Sequence, residues 1–200
     1  PGLRCDNMIV STAIKCNTRS IEYADKSFRK DRKTALLTLK GDGRALKHFP
    51  CFQNDKECVL EAVREDGESL RYASASLRRD LEIIFDAVDN DPSSIRYVGS
   101  ELKKDKKFVL KAVSIDGKCL RYADTSLRDD VDVVSLAVEN DGTLLEYASV
   151  RLRNMKQVVM KAVADVGSCI QYASKKLRYD VDVVVKALET NECALQHTSR

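Results

Sequence analysis

The sequence predicts an all-α protein, an α-solenoid of stacked two-helix repeats of about 25 residues, on three columns that run in register. Tyr72, Tyr97, Tyr122, Tyr147 and Tyr172 recur every 25 residues, the signature of a repeat architecture. Aspartates keep the same period at Asp55, Asp80, Asp105, Asp130 and Asp180, with Asp6 and Asp31 ahead of them and Met155 in the one departing slot. Twelve residues after the head stands glycine in five of eight units, as Gly43, Gly67, Gly117, Gly142 and Gly167. Residues 1–200 are therefore expected to form one array with units at 6–30, 31–54, 55–79, 80–104, 105–129, 130–154, 155–179 and 180–200.

Each head opens the first helix. Apolar residues follow at the third, fourth, seventh and eighth places, as in Ile83, Ile84, Ala87 and Val88 or Val133, Val134, Ala137 and Val138. That spacing draws one stripe on a helix of roughly ten residues. The aspartate suits its start, because a carboxylate accepts the unpaired amide hydrogens of the first turn. The glycine is expected to end this helix in the left-handed conformation, and Pro92 ends it by another route. A second, shorter helix then carries Leu70, Ile95, Leu120, Leu145 or Ile170, and the tyrosine two places on. A closing leucine (Leu77, Leu102, Leu127, Leu152 or Leu177) brings the chain back before the next head. Neither helix buries its stripe alone, so stacking on neighbours supplies the stability.

This unit, an Asp-headed V-V-x-x-A-V helix, then G-x-x-L-x-Y-A and a closing S-L-R-x-D, resembles a tandem-repeat family known as domain of unknown function 4116. Asp130 to Ser149, DVDVVSLAVENDGTLLEYAS, carries the likeness best, and only Pro1 to Cys5 lie outside the matching units. The resemblance implies helical repeats with no assigned activity and no catalytic residues to carry over.

Composition bounds the rest. With 44% hydrophobic and 32% charged residues the chain has the makings of a continuous core, and no run approaches a membrane span of about 18 apolar residues. No secretory signal layout opens it. A start at Pro1 and an end at Arg200 in mid-unit suggest a fragment or processed form. The net charge of +3 does not mark a nucleic-acid binder. The seven cysteines contain no C-x-x-C pair, so zinc is not expected, and neither is any other metal or cofactor. Cys119 and Cys169 share a slot with Ser69, Ser94, Ala45 and Ala194, which reads as a place for a small buried residue. Unpaired thiols favour a reducing compartment, hence the cytoplasm.

Three columns are candidates for function. The tyrosines, Tyr23, Tyr72, Tyr97, Tyr122, Tyr147 and Tyr172, with His48 and His197 in the same slot, read as a structural column that packs rings between units; a stacking platform for bases is the alternative. Arg29, Arg78, Lys103, Arg128, Arg153 and Arg178 follow the closing apolar residue, where a local ion pair with the next head or a cap on helix carbonyls is expected. Just before the tyrosine slot stand Lys47, Arg71, Arg96 and Arg121, flanked by Glu22 and Glu146: a basic stripe able to dock an acidic partner. No positioned base and nucleophile accompany them, so no enzyme is expected. The reading is a non-catalytic scaffold for protein–protein interaction, its unsealed ends docking another subunit of a larger assembly. Nucleic-acid binding and attachment to a longer enzyme or effector are the alternatives.

Overall fold

The computed structural model describes Arg4 and residues 6–197, so the expectations for Cys5 and for the last three residues of the final unit lie outside the described residues. Every regular element among them is helical. Pro1–Gly99 and Ser100–Arg200 form two compact units. The N-terminal unit holds α1 (Asn7–Cys16), α2 (Arg32–Leu39), α3 (Lys56–Glu65) and α4 (Leu81–Asn90), each packed on the next. A second layer of 3-10 helices, Thr18–Glu22, Gly43–His48, Gly67–Tyr72 and Pro92–Tyr97, runs beside them. The C-terminal unit opens with α5 (Ser100–Lys104) and stacks α6 (Lys106–Ile115), α7 (Val131–Asn140), α8 (Lys156–Asp165) and α10 (Val181–Thr190), with the short α9 (Lys175–Arg178) between the last two. Its 3-10 layer is Gly117–Tyr122, Gly142–Tyr147, Gly167–Tyr172 and Glu192–His197. Within each unit the 25-residue repeats pack against their neighbours, as the sequence predicts.

The heads cap as expected. Asp55 accepts from the amide of Cys58, Asp80 from Glu82, and Asp130 from both Asp132 and Val133; Met155 makes no such bond. The apolar stripe is buried, with Val59, Ala62, Val63, Val133, Val134, Ala137 and Val138 at 0% exposure. Each buried valine contributes about 1.5 kcal/mol or more before entropy is subtracted.

The helix ends differ from expectation. No described residue has a positive φ, so the glycines do not terminate helices in the left-handed region. In most repeats the residue before the 3-10 helix does that work, while Val166 closes α8 with its amide alone and Asp42 makes no side-chain cap. Asp66 is extended (φ −150°), donates its amide to the Ala62 carbonyl to close α3, and accepts from the Glu68 amide to open the 3-10 helix. Asn17, Asp91, Asp116 and Asp141 repeat the joint. Glycine is required for a different reason, close approach between repeats. A methyl group on Gly67 would overlap the carbonyl oxygen of Ala87 in the next repeat, and one on Gly142 would overlap that of Ala162. Gly117 differs, since its added methyl would meet the end of the Leu144 side chain at 2.6 Å.

Charged clamps set the register on the outer face of the α layer. Lys56 grips Asp80 and Glu82 at 2.8 and 2.7 Å, Lys106 grips Asp130 and Asp132 at 2.9 and 2.7 Å, and Lys156 grips Asp180 and Asp182 at 2.8 and 2.6 Å. Arg32 holds Asp55 and Glu57 in the same way. These pairs lie at the surface, where screening keeps each contribution small, so their value is in alignment. The clamps also take the partners foreseen for the arginine column. Asp80, Asp130 and Asp180 face lysines of the preceding repeat rather than Arg78, Arg128 and Arg178. Arg29 does cap a carbonyl, donating to Glu22 O at 3.1 Å.

Two outcomes follow for stability. Gly67→Ala and Gly142→Ala are each expected to cost about 1–3 kcal/mol in urea denaturation, because backbone must move, whereas Gly117→Ala costs less because a leucine rotamer can yield. The second concerns acid. The hydrogen bond from Arg32 holds the Asp55 carboxyl below its ordinary range, and hydrogen bonds from Lys56 and Lys156 do the same for Asp80 and Asp180. Stability from groups with a depressed folded pKa is complete above the unfolded value of about 4 and is lost as pH falls through the folded one. Thermal melts are therefore expected to hold from pH 7 to about pH 5 and to drop below about pH 4.

Candidate interaction surface

A 3-10 helix has three residues per turn, so places three apart share an edge. In Gly67–Tyr72 the buried edge is Gly67, Leu70 and the following Ala73, with Ser69 also buried. Glu68, Arg71 and Tyr72 are left toward solvent, Arg71 exposed and Tyr72 half-buried. The repeats before the last fold their second helix this way, so the tyrosine slot and the slot before it become surface. Tyr97, Tyr122, Tyr147 and Tyr172 are likewise half-buried, and Tyr23 is 69% exposed.

The two columns meet through cation–π contacts. The Arg71 guanidinium lies 4.9 Å from the centroid of Tyr72, and that of Arg96 lies 5.0 Å from Tyr97. In the C-terminal unit Arg121 stands 5.7 Å from Tyr122 and 5.8 Å from Tyr147, so one cation joins neighbouring repeats. This is the contact by which the tyrosine column ties repeats together. Close packing at the centre belongs to the glycine joint and the apolar stripe.

The basic stripe is not uniform. Arg96 pairs with Glu68, which also meets Arg44 at 3.4 Å, and Arg44 pairs in turn with Asp66. Lys47 and Arg71 instead line a common cleft of ≈ 320 Å³ between the helices Thr18–Glu22, Gly43–His48 and Gly67–Tyr72. Arg19 and Arg44 join them there, together with Glu22, Asp42 and His48. His48 Nε2 lies 3.2 Å from Glu22 Oε1. Burial, then the positive charge of Lys47, lowers the imidazole pKa from its ordinary value, and Glu22 opposes them. Arg121 belongs to the C-terminal unit, where the next slots hold Glu146 and Gln171. Sequence reasoning passed over Arg19, although Arg19 and Arg44 occupy one repeat slot 25 residues apart.

The cysteine slot is as expected. Cys119 and Cys169 are buried, and burial pushes the Cys169 thiol up to about 12.

The sequence profile of DUF4116, a domain of unknown function, matches residues 9–52, 31–78, 80–128, 105–153, 130–164 and 155–200. The chain belongs to the DUF4116 family. No curated protein and no solved structure matches it. Among the described residues of this DUF4116 chain, no helix is long and apolar enough to cross a membrane.

The bridge made by Arg121 gives a test of the tyrosine column. A double-mutant cycle with Arg121→Ala and Tyr147→Leu, read by chemical denaturation, is expected to show a coupling of about 0.5–1 kcal/mol, the size of an exposed cation–π contact.

Proposed function

We propose that this DUF4116 chain is a non-catalytic repeat scaffold that docks acidic protein segments on the face that the 3-10 helices form within each unit. The observation that carries this reading is the guanidinium held over a half-buried tyrosine ring, repeated at Arg71–Tyr72, Arg96–Tyr97 and Arg121–Tyr122. Arginine and tyrosine are the side chains that most often dominate binding energy at interfaces. A guanidinium resting on a ring is pre-ordered, so less side-chain freedom is lost when it meets a carboxylate. Repeat stacks offer such elements on a common surface, which suits extended partners.

A second reading, nucleic-acid binding, draws on the same half-buried tyrosines, since aromatic rings beside cations are the elements of a single-strand platform. A labelled glutamate-rich peptide and a single-stranded oligonucleotide of equal charge separate the two by fluorescence anisotropy. The scaffold reading expects the peptide to bind at low salt, with Arg71→Ala weakening it more than Arg96→Ala, because Glu68 already neutralises Arg96. Absence of peptide binding, or equal affinity after reversing Arg71, Arg96 and Arg121 to glutamate, sinks it. Preferential binding of the oligonucleotide moves the assignment to the second reading.

A further inference from the structure

The cleft in the N-terminal unit holds more positive charge than its own carboxylates answer. Of its four cations Arg44 is committed to Asp66 and Glu68, outside the cleft, and its charge also acts on Asp42 two residues away. Glu22 takes the contact from His48. Arg19, Lys47 and Arg71 remain, each without an ion pair among the described residues. Three exposed cationic side chains brought by three successive 3-10 helices into one concavity repel one another, and an anion that joins them relieves that repulsion. Arg71 is held by the Tyr72 ring, which presents a planar donor fork in a fixed place.

We propose that this cleft is a binding site for a phosphomonoester, with Arg19, Lys47 and Arg71 meeting its three terminal oxygens. A carboxylate offers only two oxygens and one charge. A phosphomonoester carries three acceptor oxygens and a charge of about −1.5 to −2 at neutral pH, a closer answer to three free cations. The site shares Arg71 with the docking of acidic segments but differs from it in needing only the N-terminal unit and a single anion.

The chain's two histidines supply the readout. The charged groups acting on His48 are Lys47 and Arg29, which disfavour its protonation, and Glu22, which favours it. A bound phosphate offsets Lys47, so the His48 pKa rises on binding, and by linkage phosphate binds more tightly as His48 protonates. Proton NMR titrations of the whole chain with inorganic phosphate, against chloride at equal ionic strength, are expected to raise the His48 pKa and leave the His197 resonances where they are in chloride. Arg71→Ala and Lys47→Ala each weaken phosphate binding by about tenfold or more, the worth of one charge-assisted hydrogen bond, whereas Arg121→Ala changes nothing. Equal His48 shifts in phosphate and chloride, or a phosphate effect that survives in both cleft variants while His197 and the helical circular dichroism show them folded, would overturn the proposal. A phosphoserine peptide that binds more tightly than free phosphoserine places the phosphate on a protein partner; equal affinities assign the site to a small phosphate ester. Loss of glutamate-peptide binding with the phosphate response intact counts against the scaffold reading alone.

Discussion

In most repeats an extended aspartate or asparagine between the α-helix and the 3-10 helix after it satisfies two sets of orphaned backbone groups at once. In the repeat of Asp66 the amide closes one helix and the carboxylate opens the next, with no glycine-type turn between them. Because the joint is extended rather than left-handed, the chain leaves the α layer in a fixed direction, and the glycine that follows lies against the alanine carbonyl of the neighbouring repeat. The side-chain oxygen and amide of Asn90 fasten this contact, accepting from Gly67 N at 2.8 Å and donating to Arg64 O at 2.8 Å. Asp165 does the same for the Gly142 amide.

Everything on the outward face inherits its position from that joint. Once Leu70 and Ala73 are fixed on the buried edge, Arg71 and Tyr72 have only the surface left, and three residues per turn keep them adjacent. The cleft arises because three of these short helices lie side by side in the N-terminal unit with Arg19, Lys47 and Arg71 on their open edges. Local backbone chemistry, repeated, thus becomes a spatial array of cations. What differs between repeats is whether a neighbouring carboxylate answers them.

Much of this was legible in the residues themselves. The tyrosine ruler, the aspartate heads and the apolar stripe yielded the register, because capping and burial constrain the same slot in every unit. The joint was less visible, although Asp66, Asp91, Asp116 and Asp141 keep the 25-residue period, because a helix-ending glycine is the commoner reason for a glycine in that place. The 3-10 character of the second helix was hidden because apolar residues three apart suit both helix types. The uneven stripe was not readable either. Glu68 lies 28 residues before Arg96, in a slot whose occupants vary freely, and only the fold brings the two together. Lys47 and Arg71 were named from the sequence, but the third cation of their cleft, Arg19, lies in that same variable slot.

The clamps carry a further consequence, for how such an array grows. Lys56, Lys106 and Lys156 are spaced by 50 residues, and the same slot one repeat after each holds Leu81, Val131 and Val181. The acidic pairs that answer the lysines alternate in step, so Val131 precedes a repeat that begins Met155 and Gln157, with no carboxylate to hold. Removing one repeat, 130–154, would set Lys106 beside Met155 and Gln157 and leave its charge unmatched. Removing two, 130–179, would set Lys106 beside Asp180 and Asp182 and keep its clamp matched. From Lys56 onward the segment that keeps the clamps matched is therefore a doublet of 50 residues, and most of the family matches along the chain are nearly that long.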